Sequence, residues 1–118
     1  PMVVEGQVHG GIQMGIGNAF FEKIHYDETG QLLTASFMDY LFPQATDMPP
    51  KIEMGHVECP SPLNPLGIKG VGEAGAIPTP AVFNQAVEDA LFDTGVELYE
   101  SNLSPSKVYT YVKKAKGA

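Results

Sequence analysis

The chain has 118 residues, of which 43% are hydrophobic and 18% charged, a composition typical of one globular domain. The net charge is −7, and the only basic cluster lies in the C-terminal tail, so nucleic acid is not expected as a partner. No apolar run approaches the roughly 20 residues that cross a bilayer, and no leader pattern opens the chain, so we expect a cytoplasmic protein without a membrane span.

The first predicted element is a helix over residues 7–22, QVHGGIQMGIGNAFFE. Val8, Ile12 and Phe20 recur at roughly helical spacing. The segment also carries glycines, each of which costs about 1 kcal/mol in a helix interior relative to alanine. We therefore expect another group, a cofactor or a partner, to approach the helix closely at its glycines, which are Gly10, Gly11, Gly15 and Gly17.

The middle of the chain predicts short strands. YDETGQLLT places a turn at residues 27–30 between apolar ends, which is typical of a hairpin. KIEMGHVEC, residues 51–59, alternates well enough for one more strand. His56 in that segment has no second His or Cys at ligand spacing, so it is not predicted to bind metal. Cys59 is the single cysteine, which rules out an internal disulfide and an iron–sulfur cluster held by this chain alone.

The last part of the chain predicts a long loop followed by two helices. Half of the ten prolines fall within residues 60–80, which indicates a stiff loop, and long ordered loops in small domains often carry function. Thr79 followed by Pro80 is a helix-start signal, and that helix is expected to end near Gly95. Ser104 followed by Pro105 predicts another helix start.

The loop contains GIKGVGEAG, a literal G-x-G-x-x-G at Gly70, Gly72 and Gly75. A dinucleotide-binding fingerprint needs a buried strand running into its first glycine and a helix opening at its last. Here a proline-rich segment precedes the glycines, and the helix starts only at Thr79. No G-K-S or G-K-T follows, so a P-loop is excluded as well.

The same loop presents an acidic side chain from a backbone that bulky groups can approach. Gly70 and Gly72 flank Val71 immediately before Glu73. This arrangement suits a carboxylate placed against a large cofactor. The alternative is an ordinary surface acid in a glycine turn, and Lys69 is either a phosphate contact or a solvated lysine.

Three segments together resemble a known family: VVEGQVHGGIQMGIG at residues 3–17, KGVGEAG at 69–75 and PAVFNQAVEDAL at 80–91. They resemble the C-terminal part of the molybdenum-binding large subunit of the xanthine dehydrogenase, aldehyde oxidase and carbon monoxide dehydrogenase family. The resemblance covers nearly the whole chain, and the VHGG form is most similar to the carbon monoxide dehydrogenase-like branch.

The resemblance implies a molybdopterin-type molybdenum cofactor shared with other parts of the enzyme. In that family the Glu of the GVGE motif is the catalytic base beside the molybdenum, a role that falls on Glu73. By the same resemblance Gly70 and Gly72 shape the loop against the metal site, and His9, Gly10 and Gly11 contact the cofactor. This chain has Gly10 where many relatives carry Gln, so only backbone amides remain there. No protein ligand to the metal, no iron–sulfur cluster and no flavin are expected in this chain.

The implied fold is α+β, with short antiparallel strands and about three helices, and residues 1–118 form a single domain or a fragment, the C-terminal portion of a molybdopterin-binding domain. The expected partners are the remainder of the molybdenum-binding subunit and the iron–sulfur and flavin subunits. Two alternatives remain: a piece that completes a molybdenum hydroxylase acting on an aldehyde, a heterocycle or carbon monoxide, or a truncated, non-catalytic interaction module. A detached piece is expected to be inactive alone, to expose apolar surface and to self-associate.

Overall fold

A computed structural model describes residues 1–117 of the chain, and its regular structure is helical. The helix α1 spans Met2–Ile16 and continues into a π-helical turn at Gly17–Phe21. Two further α-helices, α2 and α3, lie in the C-terminal third of the chain. They span Thr79–Ala90 and Pro105–Ala115, and short 3-10 turns lie at Ala45–Asp47 and Phe92–Thr94.

The predicted α+β class is wrong, because residues 1–117 contain no β-strand. The hairpin turn is present: the Asp27 carboxylate accepts hydrogen bonds from the amides of Thr29 and Gln31, at 2.8 and 2.9 Å. A hydrogen bond from the Thr29 hydroxyl at 2.7 Å, together with these amide bonds, holds the pKa of the exposed Asp27 carboxyl below its usual value. Beyond the turn, however, pairing stops after one antiparallel bridge between Tyr26 and Leu32, too short to form a ladder.

The strand predicted over residues 51–59 is also wrong, since no segment of the described chain pairs with it. Its alternating pattern gives two faces, but a strand needs a neighbour for its backbone amides and carbonyls. Prolines on both sides, Pro50 and Pro60, shorten the stretch that could pair. His56 and Cys59 are consequently exposed.

The three helices overlap their predicted positions, with differences at their starts. The first helix, predicted over residues 7–22, begins five residues earlier at Met2. α3 begins with Ser104 at its N-cap and Pro105 in its first turn, as predicted. α2 includes Thr79, and Pro78 stands at the N-cap without a side-chain cap. After α2, the 3-10 turn ends at Gly95, whose φ of +69° is a conformation that favours glycine.

The core lies at the C-terminal side of the fold, where the π-helical turn meets α2 and α3. Its buried side chains come from Ala19 and from the extended segment between α2 and α3. The amide of Leu103 donates to the carbonyl of Ala19 at 2.7 Å, which fastens that segment to the end of α1. The rings of Phe20 and Phe83 meet edge to face, 4.9 Å apart. The buried set is Ala19, Val96, Leu98 and Leu103.

Outside this core the chain is extended and exposes much apolar surface. Its radius of gyration is 18.0 Å, whereas a compact domain of this length has about 13.5 Å. It exposes 9077 Å², against about 6,200 Å² for a compact monomer of the same mass. None of the helices within residues 1–117 has the length and apolar content needed to cross a membrane. The most exposed large apolar side chains of the middle segment are Phe37, Met38, Val57, Leu63, Leu66 and Ile77.

Replacing Leu103 by alanine tests the position of the core. Leu103 is 3% exposed, so Leu103→Ala leaves a cavity and is expected to lower the free energy of unfolding by about 2–5 kcal/mol. Val57→Ala, at a side chain 96% exposed, is the control and should change it by less than about 0.5 kcal/mol. Denaturant unfolding of the purified protein measures both, and equal effects of the two substitutions would place the core elsewhere.

Candidate active site

The glycine loop of residues 67–78 rests on α1 through contacts that leave no room for side chains. A Cβ on Gly11 would lie 2.9 Å from both the Cα of Gly75 and the amide nitrogen of Ala76. A Cβ on Gly75 would overlap the carbonyl oxygen of Val8 and lie 3.0 Å from the amide nitrogen of Ile12. Because backbone atoms cannot swing aside as side chains do, both positions require glycine.

A second close contact joins α1 to the start of α2. A Cβ on Gly15 would lie 2.6 Å from Cγ2 of Thr79, which is buried. The Thr79 hydroxyl donates to the carbonyl of Gly75 at 2.5 Å, so it ties α2 to the end of the loop. A Cβ on Gly17 would meet Cδ of Pro43 at 2.9 Å. Close approach to the helix glycines is therefore found, and at these three positions the approaching group belongs to the chain itself.

Glu73 lies in a run of tight turns on the outer side of this contact. The amide of Ala74 donates to the carbonyl of Val71 at 3.2 Å, and the amides of Ala76 and Ile77 donate to the carbonyl of Glu73 at 3.0 and 3.1 Å. The backbone of Glu73 is thus held by its neighbours. Its side chain is exposed, so any shielding of the carboxylate from water has to come from outside these residues.

The approach to Glu73 is open on the N-terminal side of the loop. A Cβ added to Gly70 or Gly72 would meet nothing within 4 Å. Gly10 on α1 is open in the same sense. At the three glycines a bulky planar group can therefore approach the backbone at close range.

Two amide side chains, those of Gln7 and Asn64, fix the two ends of residues 68–72, the open stretch before Glu73. Gln7 Nε2 donates to the carbonyl of Gly72 at 2.9 Å, a contact between positions 65 residues apart in the chain. Asn64 brackets Ile68, since its Nδ2 donates to the Ile68 carbonyl and its Oδ1 accepts from the Ile68 amide, both at 3.0 Å. Residues 68–72 are consequently anchored at both ends.

The structure brings most, but not all, of the predicted site residues together. Gly72 is linked to α1 through Gln7, and Gly11 is buried beneath Gly75. His9 is exposed and lies two residues before Gly11, which places it about 200° round the helix, away from the loop contact. Lys69 is exposed.

No trio of His, Cys, Asp or Glu side chains among residues 1–117 could hold a metal ion. The charged cluster with shifted pKa values lies near α3, remote in sequence from the loop. There the hydrogen bond from Lys107 to Glu100, together with one from Tyr111, holds the pKa of the Glu100 carboxyl below its usual value, and Glu100 raises that of Lys107. The Lys107–Glu100 pair, at 3.0 Å, is a solvent-exposed ion pair on the surface, and we assign it no catalytic role.

Gln7 and Asn64 shape the site but were not identified from the sequence. Gly75 was identified, but its structural role was not. Gly75 was visible as the last glycine of a false nucleotide fingerprint, and its real function is to let the loop contact α1. Gln7 offered only a weak signal, a polar side chain one turn before Gly11. Asn64 lies between two prolines, where an Asn that hydrogen-bonds nearby backbone is common.

A family model described as "Molybdopterin cofactor-binding domain" matches residues 1–49. Among curated relatives, the nicotine 6-hydroxylase large subunit of Paenarthrobacter nicotinovorans is 45% identical over 96% of this chain. The carbon monoxide dehydrogenase large chain of Afipia carboxidovorans is 46% identical over 76% of it. The chain spans only 14% and 11% of the lengths of these two proteins.

The fold is also similar to part of a solved structure. Quinoline 2-oxidoreductase from Pseudomonas putida 86 superposes with a TM-score of 0.88 at 43% identity. The superposition covers 97% of this chain and 14% of that protein. The long irregular segments are therefore included in the similarity along with the helices.

The close contact at Gly75 can be tested with one methyl group. Gly75→Ala places a Cβ on the Val8 carbonyl and is expected to lower the free energy of unfolding by about 1–3 kcal/mol. Gly70→Ala, made in open space, is the matched control and should leave stability nearly unchanged. Thermal unfolding of the two purified variants measures the difference in stability. If Gly75→Ala is as stable as Gly70→Ala, the close contact at Gly75 is not present.

Proposed function

Because this chain belongs to the family of molybdopterin-binding large subunits of molybdenum hydroxylases, we propose that it contributes the catalytic Glu73 to such an oxidoreductase. The observation that carries the proposal is the position of Glu73: an exposed carboxylate on a turn whose backbone is fixed against α1 and whose preceding glycines are open. Since the chain spans about 14% of the length of these relatives, the activity belongs to an assembly that includes it.

The residues present fit a cofactor that carries its metal on its own organic ligand. Gly10, Gly70 and Gly72 leave backbone in open space, which suits close approach by a planar pterin. In this proposal the metal is held by the pterin and not by side chains of this chain. In this proposal Gly70, Gly72 and Gly10 contact the cofactor directly.

His9 and Gly11 take different parts in the proposed site. Gly11 acts through its missing side chain, because the loop can close on α1 only where no Cβ intervenes. His9 points away from that contact and is free to donate to an anionic part of the cofactor beyond it. The bound cofactor would supply the redox chemistry of a hydroxylation.

Glu73 acts as the proton acceptor of the reaction. A carboxylate is an effective base when its position is fixed before the substrate arrives, and base catalysis of this kind contributes about 10²- to 10⁴-fold. Here the turn over residues 71–77 fixes the backbone from which the carboxylate extends. The water-excluding walls of the site come from the rest of the assembly.

The large exposed surface of the chain is evidence for a polypeptide partner that covers it. The excess over a compact monomer is about 2,800 Å² on this chain alone; a cover that contributes an equal area would bury about 5,600 Å² in total, which is the size of a large obligate interface. Much of it is apolar and lies in the irregular segment between α1 and α2. We infer that the remainder of a molybdenum-binding subunit covers this segment, with iron–sulfur and flavin subunits completing the assembly.

The substrate is an aldehyde, a nitrogen heterocycle or carbon monoxide. The names of two of the compared proteins, nicotine 6-hydroxylase and quinoline 2-oxidoreductase, refer to nitrogen heterocycles, so these are the first substrates to assay. The competing function is a non-catalytic interaction module, in which Glu73 has no chemical role.

Glu73→Gln distinguishes the two functions. The amide keeps the size of the side chain but cannot accept the proton, so kcat of the assembled enzyme is expected to fall by about 10²- to 10⁴-fold. Molybdenum content should remain unchanged, because Glu73 is not a proposed metal ligand. Steady-state kinetics and metal analysis of the same preparation provide the measurement.

The matched control for that substitution is Glu28→Gln, at an exposed carboxylate in the turn of residues 27–30. Its activity should equal that of the unmodified protein. If Glu73→Gln is as active as Glu28→Gln, Glu73 is not the base and the interaction-module function takes its place.

Purification of the chain from its native cells tests the partner. The expected result is co-purification with a longer cofactor-binding polypeptide and about one molybdenum per complex, because the exposed apolar surface needs a cover. Protein identification and molybdenum quantification are made on one fraction. A metal-free chain that emerges alone, or paired only with itself, contradicts the proposal.

A further inference from the structure

The loop that presents Glu73 is tied to α1 on both sides of that residue, and the two ties differ in kind. After Glu73 the tie is steric, since Gly75 lies directly on the backbone of α1. Before Glu73 it is one hydrogen bond, from Gln7 Nε2 to the carbonyl of Gly72. The steric tie cannot slide without collision, whereas the polar tie can be broken by removing a single donor.

Without the Gln7 bond the preceding stretch has little to hold it. Gly70 and Gly72 have no neighbour within 4 Å of a Cβ position, and glycine has more backbone freedom than any other residue. Asn64 fixes Ile68, four residues before Gly72, and nothing described between them bonds to another segment. The direction of the peptide leading into Glu73 therefore depends on Gln7.

We propose that Gln7 is a positioning residue for Glu73, acting through the Gly72 carbonyl, and this inference rests on the proposed function. Gln7 selects one arrangement of a flexible glycine stretch, which fixes the origin of the Glu73 side chain before substrate arrives. In this role Gln7 acts through the loop and not on the reacting atoms. Its amide is needed as a hydrogen-bond donor, and its acceptor oxygen is not used in this contact.

The chain offers a matched control on the same helix. Gln13 also lies on α1 and also donates from Nε2 to a backbone carbonyl, that of Pro43, at 3.2 Å. Gln7→Met and Gln13→Met each keep the length of the side chain and remove one donor. They differ in the segment released: residues 70–74 for Gln7 and the segment around Pro43 for Gln13.

The test is hydrogen–deuterium exchange on the native protein, with whatever polypeptides accompany this chain. The reporter is the amide of Ala74, which donates to the carbonyl of Val71 in the turn that leads into Glu73. Gln7→Met is expected to speed its exchange about two- to tenfold, the change in opening equilibrium that one net hydrogen bond gives. The amides of Ala76 and Ile77, on the sterically fixed side, are the internal reference, and Gln13→Met should leave the Ala74 amide unchanged.

A rescue variant separates positioning from general damage. Gln7→Lys restores a donor of similar reach at an exposed position, so it should return the exchange rates toward those of the unmodified protein. In the active assembly Gln7→Met should lower kcat with little change in KM, because Gln7 does not touch substrate, and Gln7→Lys should recover most of the loss.

Three results would overturn the inference: unchanged exchange of the Ala74 amide in Gln7→Met, equal acceleration of that amide in Gln13→Met, or no recovery in Gln7→Lys. The exchange measurement needs no cofactor. It therefore stands even if Glu73→Gln proves fully active, in which case Gln7 orders the loop but the proposed function fails. If Glu73→Gln is inactive while exchange in Gln7→Met is unchanged, the positioning role alone fails.

Discussion

The arrangement of this protein depends on the contact between α1 and residues 75–79. Backbone lies directly on backbone where Gly11 faces Gly75, and the buried side chain of Thr79 packs against Gly15. The contact between Gly11 and Gly75 is rigid, because no flexible side chain lies between the two segments to absorb a shift. Together the two contacts join the first helix of the chain to the start of α2, and they fix the turn from which Glu73 extends.

Close approach to α1 could be predicted from the sequence, while the identity of the approaching group could not. Several glycines in one helix indicate that something lies against it, since they weaken the helix by themselves. Whether that group is a cofactor, a partner or another part of the chain depends on how distant segments fold together. The structure divides the glycines into two sets: Gly11, Gly15 and Gly17 face the chain itself, and Gly10 remains open.

The helices and the candidate base were accessible from local signals, and the strands were misjudged for a physical reason. Proline near a helix start and glycine at a helix end act over a few residues, so α2 and α3 were found. Alternation of apolar residues also acts locally, but a strand exists only with a partner, and residues 51–59 have none within the part of the chain that is described. The role of Gln7 could not be predicted from local signals, because its contact joins positions 65 residues apart.

We propose one explanation for the extended shape and the exposed Glu73: the open face of the loop is completed by a cofactor and by more polypeptide. The most direct test is a crystal structure of the complete assembly with an anomalous difference map recorded at the molybdenum edge. We predict a single strong peak beside the Glu73 carboxylate, on the side of Gly10, Gly70 and Gly72. A peak remote from Glu73, or a Glu73 side chain covered by protein alone, would contradict the account.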